Sequence, residues 1–164
     1  MPLVAWQAPL QHLCGGRAMR CESLHSTLVF LGDVELRRLE ALQLAAQEVA
    51  GARFELLFDE ARYWGHNHIV YAAPLNMPAQ LKQLVEALEQ RLNAHRFRFD
   101  RRTYRPHVTL LRNARWSDMP LPAMPAVSWQ IADFALVQSA QEGYRVLARF
   151  PLTPCDGHIK PQEC

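Results

Sequence analysis

Arg105-Pro106-His107-Val108-Thr109-Leu110-Leu111-Arg112 has a counterpart upstream in Leu24-His25-Ser26-Thr27-Leu28-Val29-Phe30-Leu31-Gly32, so that His-x-Thr-Leu occurs twice, 82 positions apart. Both copies lie in runs of apolar and β-branched residues, which predicts two strands. Side chains alternate between the faces of a strand, so His25 shares a face with Thr27, and His107 with Thr109. Each copy then presents an imidazole and a hydroxyl together. Among seven histidines a single His-x-Thr pair would carry little information, but the second copy repeats the following leucine as well. Two imidazoles converging on one substrate can act as general base and general acid, while two hydroxyls hydrogen-bond a phosphoryl oxygen. The alternative is two half-buried strands on which histidine and threonine merely fit.

Working outward, residues 33–51 predict a helix with Asp33 as N-cap, Leu36, Leu39, Ala46 and Val49 near helical spacing, and Gly51 as terminator. A second helix is predicted over 78–94, where Leu81, Leu84, Val85, Leu88 and Leu92 form one stripe and Pro78 suits the first turn. Between them, 54–58 and 68–72 read as strands, with a hairpin at Gly65 and Asn67. Three prolines in 119–125 exclude regular structure there, and 131–139 and 144–151 read as strands around Gly143. Strands in runs, with no Gly-rich phosphate loop after any of them, predict an α+β protein with antiparallel sheets. Two lobes flanked by helices, each giving one His-x-Thr strand to a shared cleft, form the simplest arrangement that uses both motifs.

With 164 residues, 49% of them hydrophobic, the chain suits one domain, read as 1–153, followed by a loose polar tail over 154–164. No apolar stretch reaches the ~20 residues of a membrane span, and the N-terminus lacks a signal-peptide pattern, so a cytoplasmic protein without membrane contact is expected. Cys14, Cys21, Cys155 and Cys164 have neither zinc-ribbon nor disulfide-framework spacing and read as free thiols. A formal charge of +2 is too small to define a partner by itself.

These motifs and the elements around them resemble the 2H phosphoesterase superfamily, and within it the bacterial RNA 2',3'-cyclic phosphodiesterases, also called 2'-5' RNA ligases. The likeness spans residues 16–151. It implies a bilobal, pseudo-duplicated fold with the active-site cleft between two antiparallel sheets. It also implies opening of a 2',3'-cyclic phosphate on RNA ends or nucleotides to a 2'-phosphomonoester without metal or cofactor, with reversible 2'-5' ligation in some members. Carried over by position, the catalytic histidines fall on His25 and His107 and the phosphate-binding hydroxyls on Thr27 and Thr109, with His107 as base on water and His25 as acid on the leaving oxygen. Relatives begin with an apolar strand, whereas here 2–24 holds only the short apolar run 3–6, so that strand is expected to be missing or shortened. A monomer is expected. The rival reading is a module of the same fold that binds nucleotide or RNA without turnover.

Five further features carry competing readings. Some relatives carry a phosphate-contacting arginine at the position of Arg112, yet strand alternation sets it opposite His107 unless the strand ends or bends. Phe30 has an aromatic counterpart near the nucleobase in the family, but parity makes it a core residue. The stretch 96–105 interleaves five arginines with Phe97, Phe99 and Tyr104, an RNA path or simply an inward pair of phenylalanines with solvated arginines. Tyr63 and Trp64 are candidates for stacking on a base or for filling the core. His66 and His68 share a face of a predicted strand, but no third ligand has suitable spacing, so no metal site is expected.

Overall fold

The computed structural model describes residues 2–117, 119–140 and 143–154. Helix α1 (Val4–Cys14) opens it, followed by a two-residue strand β1 (Arg17–Ala18) and helix α2 (Leu39–Gln47). Strands β2 (Phe54–Phe58), β3 (Glu60–Trp64) and β4 (Ile69–Ala73) precede helix α3 (Ala79–Ala94). Strands β5 (Val108–Arg112), β6 (Val127–Ile131), β7 (Asp133–Ala140) and β8 (Gly143–Pro151) complete the order. All strand pairs within the sheets are antiparallel: a four-stranded sheet ordered β1-β5-β4-β3, and two-stranded sheets β2-β6 and β7-β8. The α+β expectation therefore holds.

The predicted stripe of α3 is the one that buries: Leu81, Leu84, Val85, Leu88 and Leu92, each worth about 1.5–3 kcal/mol if removed fully from water. Helix α1 was not expected, because Pro9 interrupts its pattern, but Leu3, Trp6, Leu10 and Cys14 recur at helical spacing and all are buried. The helix is tied to the sheet by Gln7, whose Nε2 donates to the carbonyls of Met19 at 2.7 Å and Leu110 at 3.2 Å. Gly16 permits the approach of β1 to β5: a Cβ there would lie 2.6 Å from the Arg112 carbonyl oxygen. Thus the 2–24 segment supplies a helix and a short edge strand.

Several expectations are corrected. Residues 24–32 around the first motif form no strand, since no ladder partner lies beside them; Leu24, His25, Thr27, Leu28 and Val29 instead line a largely apolar cavity of about 550 Å³. Without a pleat, parity fails, and Phe30 is 64% exposed rather than in the core. Asp33 caps nothing, because a 3₁₀ turn at Leu36–Arg38 intervenes before α2. The hairpin at Gly65 joins β4 to the unpredicted β3, and His66 and His68 lie in its turn rather than on a strand. In the C-terminal half, β6 is an additional strand. The tail expectation, with Cys155 and Cys164, falls on 155–164, outside the described residues, whereas Cys14 and Cys21 are free thiols.

Candidate active site

One face of the four-stranded sheet gathers the second motif. Thr109 stands opposite Tyr71, and Trp64 opposite Ile69, so these residues project to the same side. His107, immediately before β5, packs on that side too, edge-on to Trp64 at 4.8 Å and to Tyr71 at 5.7 Å between ring centroids. Strict alternation would turn Arg112 away. However, the ladder steps from Tyr71–Thr109 to Val70–Leu111, leaving Leu110 as an extra residue on β5. This β-bulge restores parity, so that Arg112, paired with Ile69, faces the same side as Thr109.

The first motif reaches its place by loop contacts. Its Phe30 carbonyl accepts from the Asp100 amide at 2.9 Å, tying it to the lead-in of the second motif. Ser26 Oγ and the Tyr104 hydroxyl are buried beside one another without reaching hydrogen-bond geometry. Burial pushes the Tyr104 phenol up to about 12, the Ser26 hydroxyl pulling the other way. His25 packs on Tyr144 of β8, 4.3 Å between ring centroids at 64°. Thr27 is exposed.

The two imidazoles are held alike. His25 Nδ1 donates to the Ser23 carbonyl and His107 Nδ1 to the Arg105 carbonyl, each at 2.8 Å and each two residues upstream. A carbonyl oxygen only accepts, so each Nδ1 carries a proton and each Nε2 is the atom left for chemistry. In the neutral ring Nε2 is a base; protonated, it is an acid.

Beside the apolar cavity at His25 lies a second one, of about 610 Å³, walled by Arg17, Arg20, Ser23 and Arg112. Tyr144 lines both. Phosphate chemistry suits the arginine-lined space rather than the apolar one.

The remaining candidates divide. Phe97 is buried under the Arg38 guanidinium, 4.0 Å from its ring centroid, and Phe99 packs on the same small cluster. Arg102 pairs with Asp100, and Arg101 donates to Asn93 at 2.8 Å. The 96–105 segment thus spends both phenylalanines on packing. Tyr63 donates to the Ala114 carbonyl at 3.2 Å, whereas Trp64 contacts His107 directly. His68 Nδ1 is 3.1 Å from the Tyr63 hydroxyl, and among the described residues no group of three His, Cys, Asp or Glu side chains is placed to hold a metal ion. Sequence reasoning missed Tyr71 and Tyr144, because an aromatic reached only through tertiary structure leaves no local signal.

Two imidazoles, each held through Nδ1 by a carbonyl two residues upstream, on an antiparallel α+β architecture define a class, and the chain belongs to the 2'-5' RNA ligase superfamily, whose family model matches residues 2–143. It is 30% identical over 157 residues to the RNA 2',3'-cyclic phosphodiesterase of Escherichia coli (strain K12), covering 92% of this chain and 88% of that protein. Among solved structures it is similar to E. coli LigT complexed with 3'-AMP, with a TM-score of 0.82 and 29% identity over 92% of this chain and 89% of that one. A Thermus thermophilus protein, TT0787, gives a TM-score of 0.70 at 25% identity, covering 93% of this chain and 91% of its own. No helix among the described residues is long and apolar enough to cross a membrane.

Proposed function

We propose that this protein is a metal-independent phosphodiesterase that opens 2',3'-cyclic phosphates on RNA ends or nucleotides to 2'-phosphomonoesters. The matched bonds from His25 and His107 Nδ1 to main-chain carbonyls carry the reading, since they fix both rings with Nε2 outward. Support comes also from the E. coli relative, named an RNA 2',3'-cyclic phosphodiesterase, and from LigT crystals holding 3'-AMP or phosphate.

Neutral His107 takes a proton from water as the water oxygen attacks phosphorus. The bond from phosphorus to the ribose 3' oxygen breaks, and protonated His25 gives that oxygen its proton. The base and acid belong on opposite sides of the phosphate, as in-line displacement demands. Thr27, Thr109 and Arg112 hold the phosphoryl oxygens, and a guanidinium suits their bidentate geometry. The exposed Phe30 ring is available to a nucleobase. If a 5'-hydroxyl of a second RNA replaces water, the same steps leave a 2'-5' linkage and a free 3'-hydroxyl. A monomer in the cytoplasm, where RNA ends are accessible, completes the reading.

The experiment is incubation with a 2',3'-cyclic nucleotide in EDTA. Release of the 2'-phosphate is expected, with His25→Ala and His107→Ala each lowering kcat by about 10²–10⁴-fold. Binding of the nucleotide with no product from the wild type would establish the non-catalytic module instead.

A further inference from the structure

Arg17 and Arg112 are direct cross-strand partners on the antiparallel pair β1-β5. Side chains so opposed leave the same face about 4.5–5.5 Å apart at Cβ, and like charges there repel. Among the described residues neither guanidinium has an ion-pair or hydrogen-bond partner to offset this. Arg20 meets the same cavity from the β7-β8 side. Its guanidinium and the Ser23 hydroxyl lie 3.6 and 3.9 Å from where a Cβ would stand on Gly143, so the missing side chain makes room for both. An exposed carboxylate, Glu22, lies 3.7 Å from Arg20, a surface pair of little strength. The cavity is lined by Arg17 and Ala18 of β1 and also by Tyr144, the ring neighbour of His25.

An RNA that ends in a 2',3'-cyclic phosphate has all its other phosphates on the 5' side of the terminal nucleotide. We propose that Arg17, with Arg20 and Ser23, binds the first of these phosphodiesters, so that the protein prefers RNA chain ends over free cyclic mononucleotides. The proposal rests on the phosphodiesterase reading above. Arg112, on the same face of the sheet as Thr109, takes the cyclic phosphate, and Arg17 opposite it takes the next anion along the chain. An anion between the two guanidiniums also relieves their mutual repulsion.

The test compares uridine 2',3'-cyclic phosphate with an oligouridylate that ends in the same group, on the wild type and on Arg17→Gln and Arg20→Gln. For the oligonucleotide each substitution is expected to raise KM about fivefold to tenfold, as the loss of a charge-assisted contact would. For the mononucleotide kcat/KM should change less than twofold. With increasing salt, log(kcat/KM) for the oligonucleotide should fall less steeply in each variant, by about 0.7 per lost phosphate contact on a single strand. Arg17→Lys should keep most of that salt slope, since the point charge remains. Equal losses on both substrates, or no loss on either, would overturn the proposal. If the wild type hydrolyses neither substrate, the phosphodiesterase reading falls, and the arginine site is judged by binding of a fluorescent oligouridylate 3'-phosphate. Unchanged affinity in Arg17→Gln would then overturn it.

Discussion

Trp64 meets His107 edge to face, with ring centroids 4.8 Å apart and planes at 69°. The same indole packs on Tyr71, 4.1 Å between centroids, so an aromatic wall backs the second imidazole while its Nδ1 is held by the Arg105 carbonyl. Of the two constraints the hydrogen bond sets the tautomer and the wall limits how far the ring can tilt.

Trp64→Leu should therefore lower kcat about tenfold, corresponding to about 1.4 kcal/mol of transition-state stabilisation, with less effect on KM. Trp64→Phe should retain most of the activity because an aromatic edge contact is still possible. Steady-state kinetics on a 2',3'-cyclic nucleotide separate the two parameters. A rise in KM with unchanged kcat would mean that Trp64 contacts substrate rather than His107.

Arg112 owes its orientation to the bulge at Leu110 rather than to alternation. Arg112→Gln should raise KM about tenfold or more and Arg112→Lys by less, since lysine keeps the charge but loses the planar fork. Thermal unfolding should scarcely change in either variant, because Arg112 is exposed and has no ion pair among the described residues. A large fall in melting temperature with activity intact would contradict this assignment.

The bulge also marks where sequence stops informing structure. Apolar spacing sufficed for α3, whose five predicted residues are those that bury, and β-branched content sufficed for the second motif. Periodicity says nothing about an inserted ladder residue, which depends on the register of a neighbouring strand. Similarly, the first motif reads as a strand in isolation, but strand formation needs a partner and residues 24–32 have none. Pro9 hid α1, and the polar content of Glu60 and Arg62 hid β3, which lies at the edge of its sheet. Of the site, the repeated His-x-Thr was legible. Tyr71 and Tyr144 were not, because tertiary structure alone brings them to the histidines, and neither was the pairing of Arg17 with Arg112, which depends on strand register.

Tyr104 provides a test at alkaline pH. Its phenol ionises at 10.0 without the fold and is pushed up to about 12 within it. Between those values the folded state keeps a proton that the unfolded chain has released. The stabilisation is thus complete below pH 10 and is lost as pH rises through about 12, amounting to roughly 2–3 kcal/mol at about 1.4 kcal/mol per pH unit. Tyr104→Phe should remove that part of the alkaline decline. At pH 7 it should be neutral or stabilising by up to about 1 kcal/mol, since the hydroxyl is buried without a hydrogen bond. Urea unfolding of both proteins from pH 7 to 11 measures the difference, and parallel curves would show that the phenol is not buried as described.

Gln7 sets how firmly α1 holds the edge that carries Arg17. Its Nε2 satisfies the Met19 carbonyl, and it also donates to the Leu110 carbonyl, which already accepts from the Met19 amide. Gln7→Leu preserves much of the buried volume but removes the donor, so the Met19 oxygen loses its partner, at a cost of about 1–3 kcal/mol. Gln7→Ala adds an unfilled space and should cost more. Both should lower the urea midpoint, with alanine the worse. Because Leu110 is the bulged residue that puts Arg112 on the face of Thr109, Gln7→Leu should also raise KM for a cyclic nucleotide more than it lowers kcat. Destabilisation without that KM effect would confine Gln7 to anchoring the helix and leave the bulge to be held by the β4-β5 ladder alone.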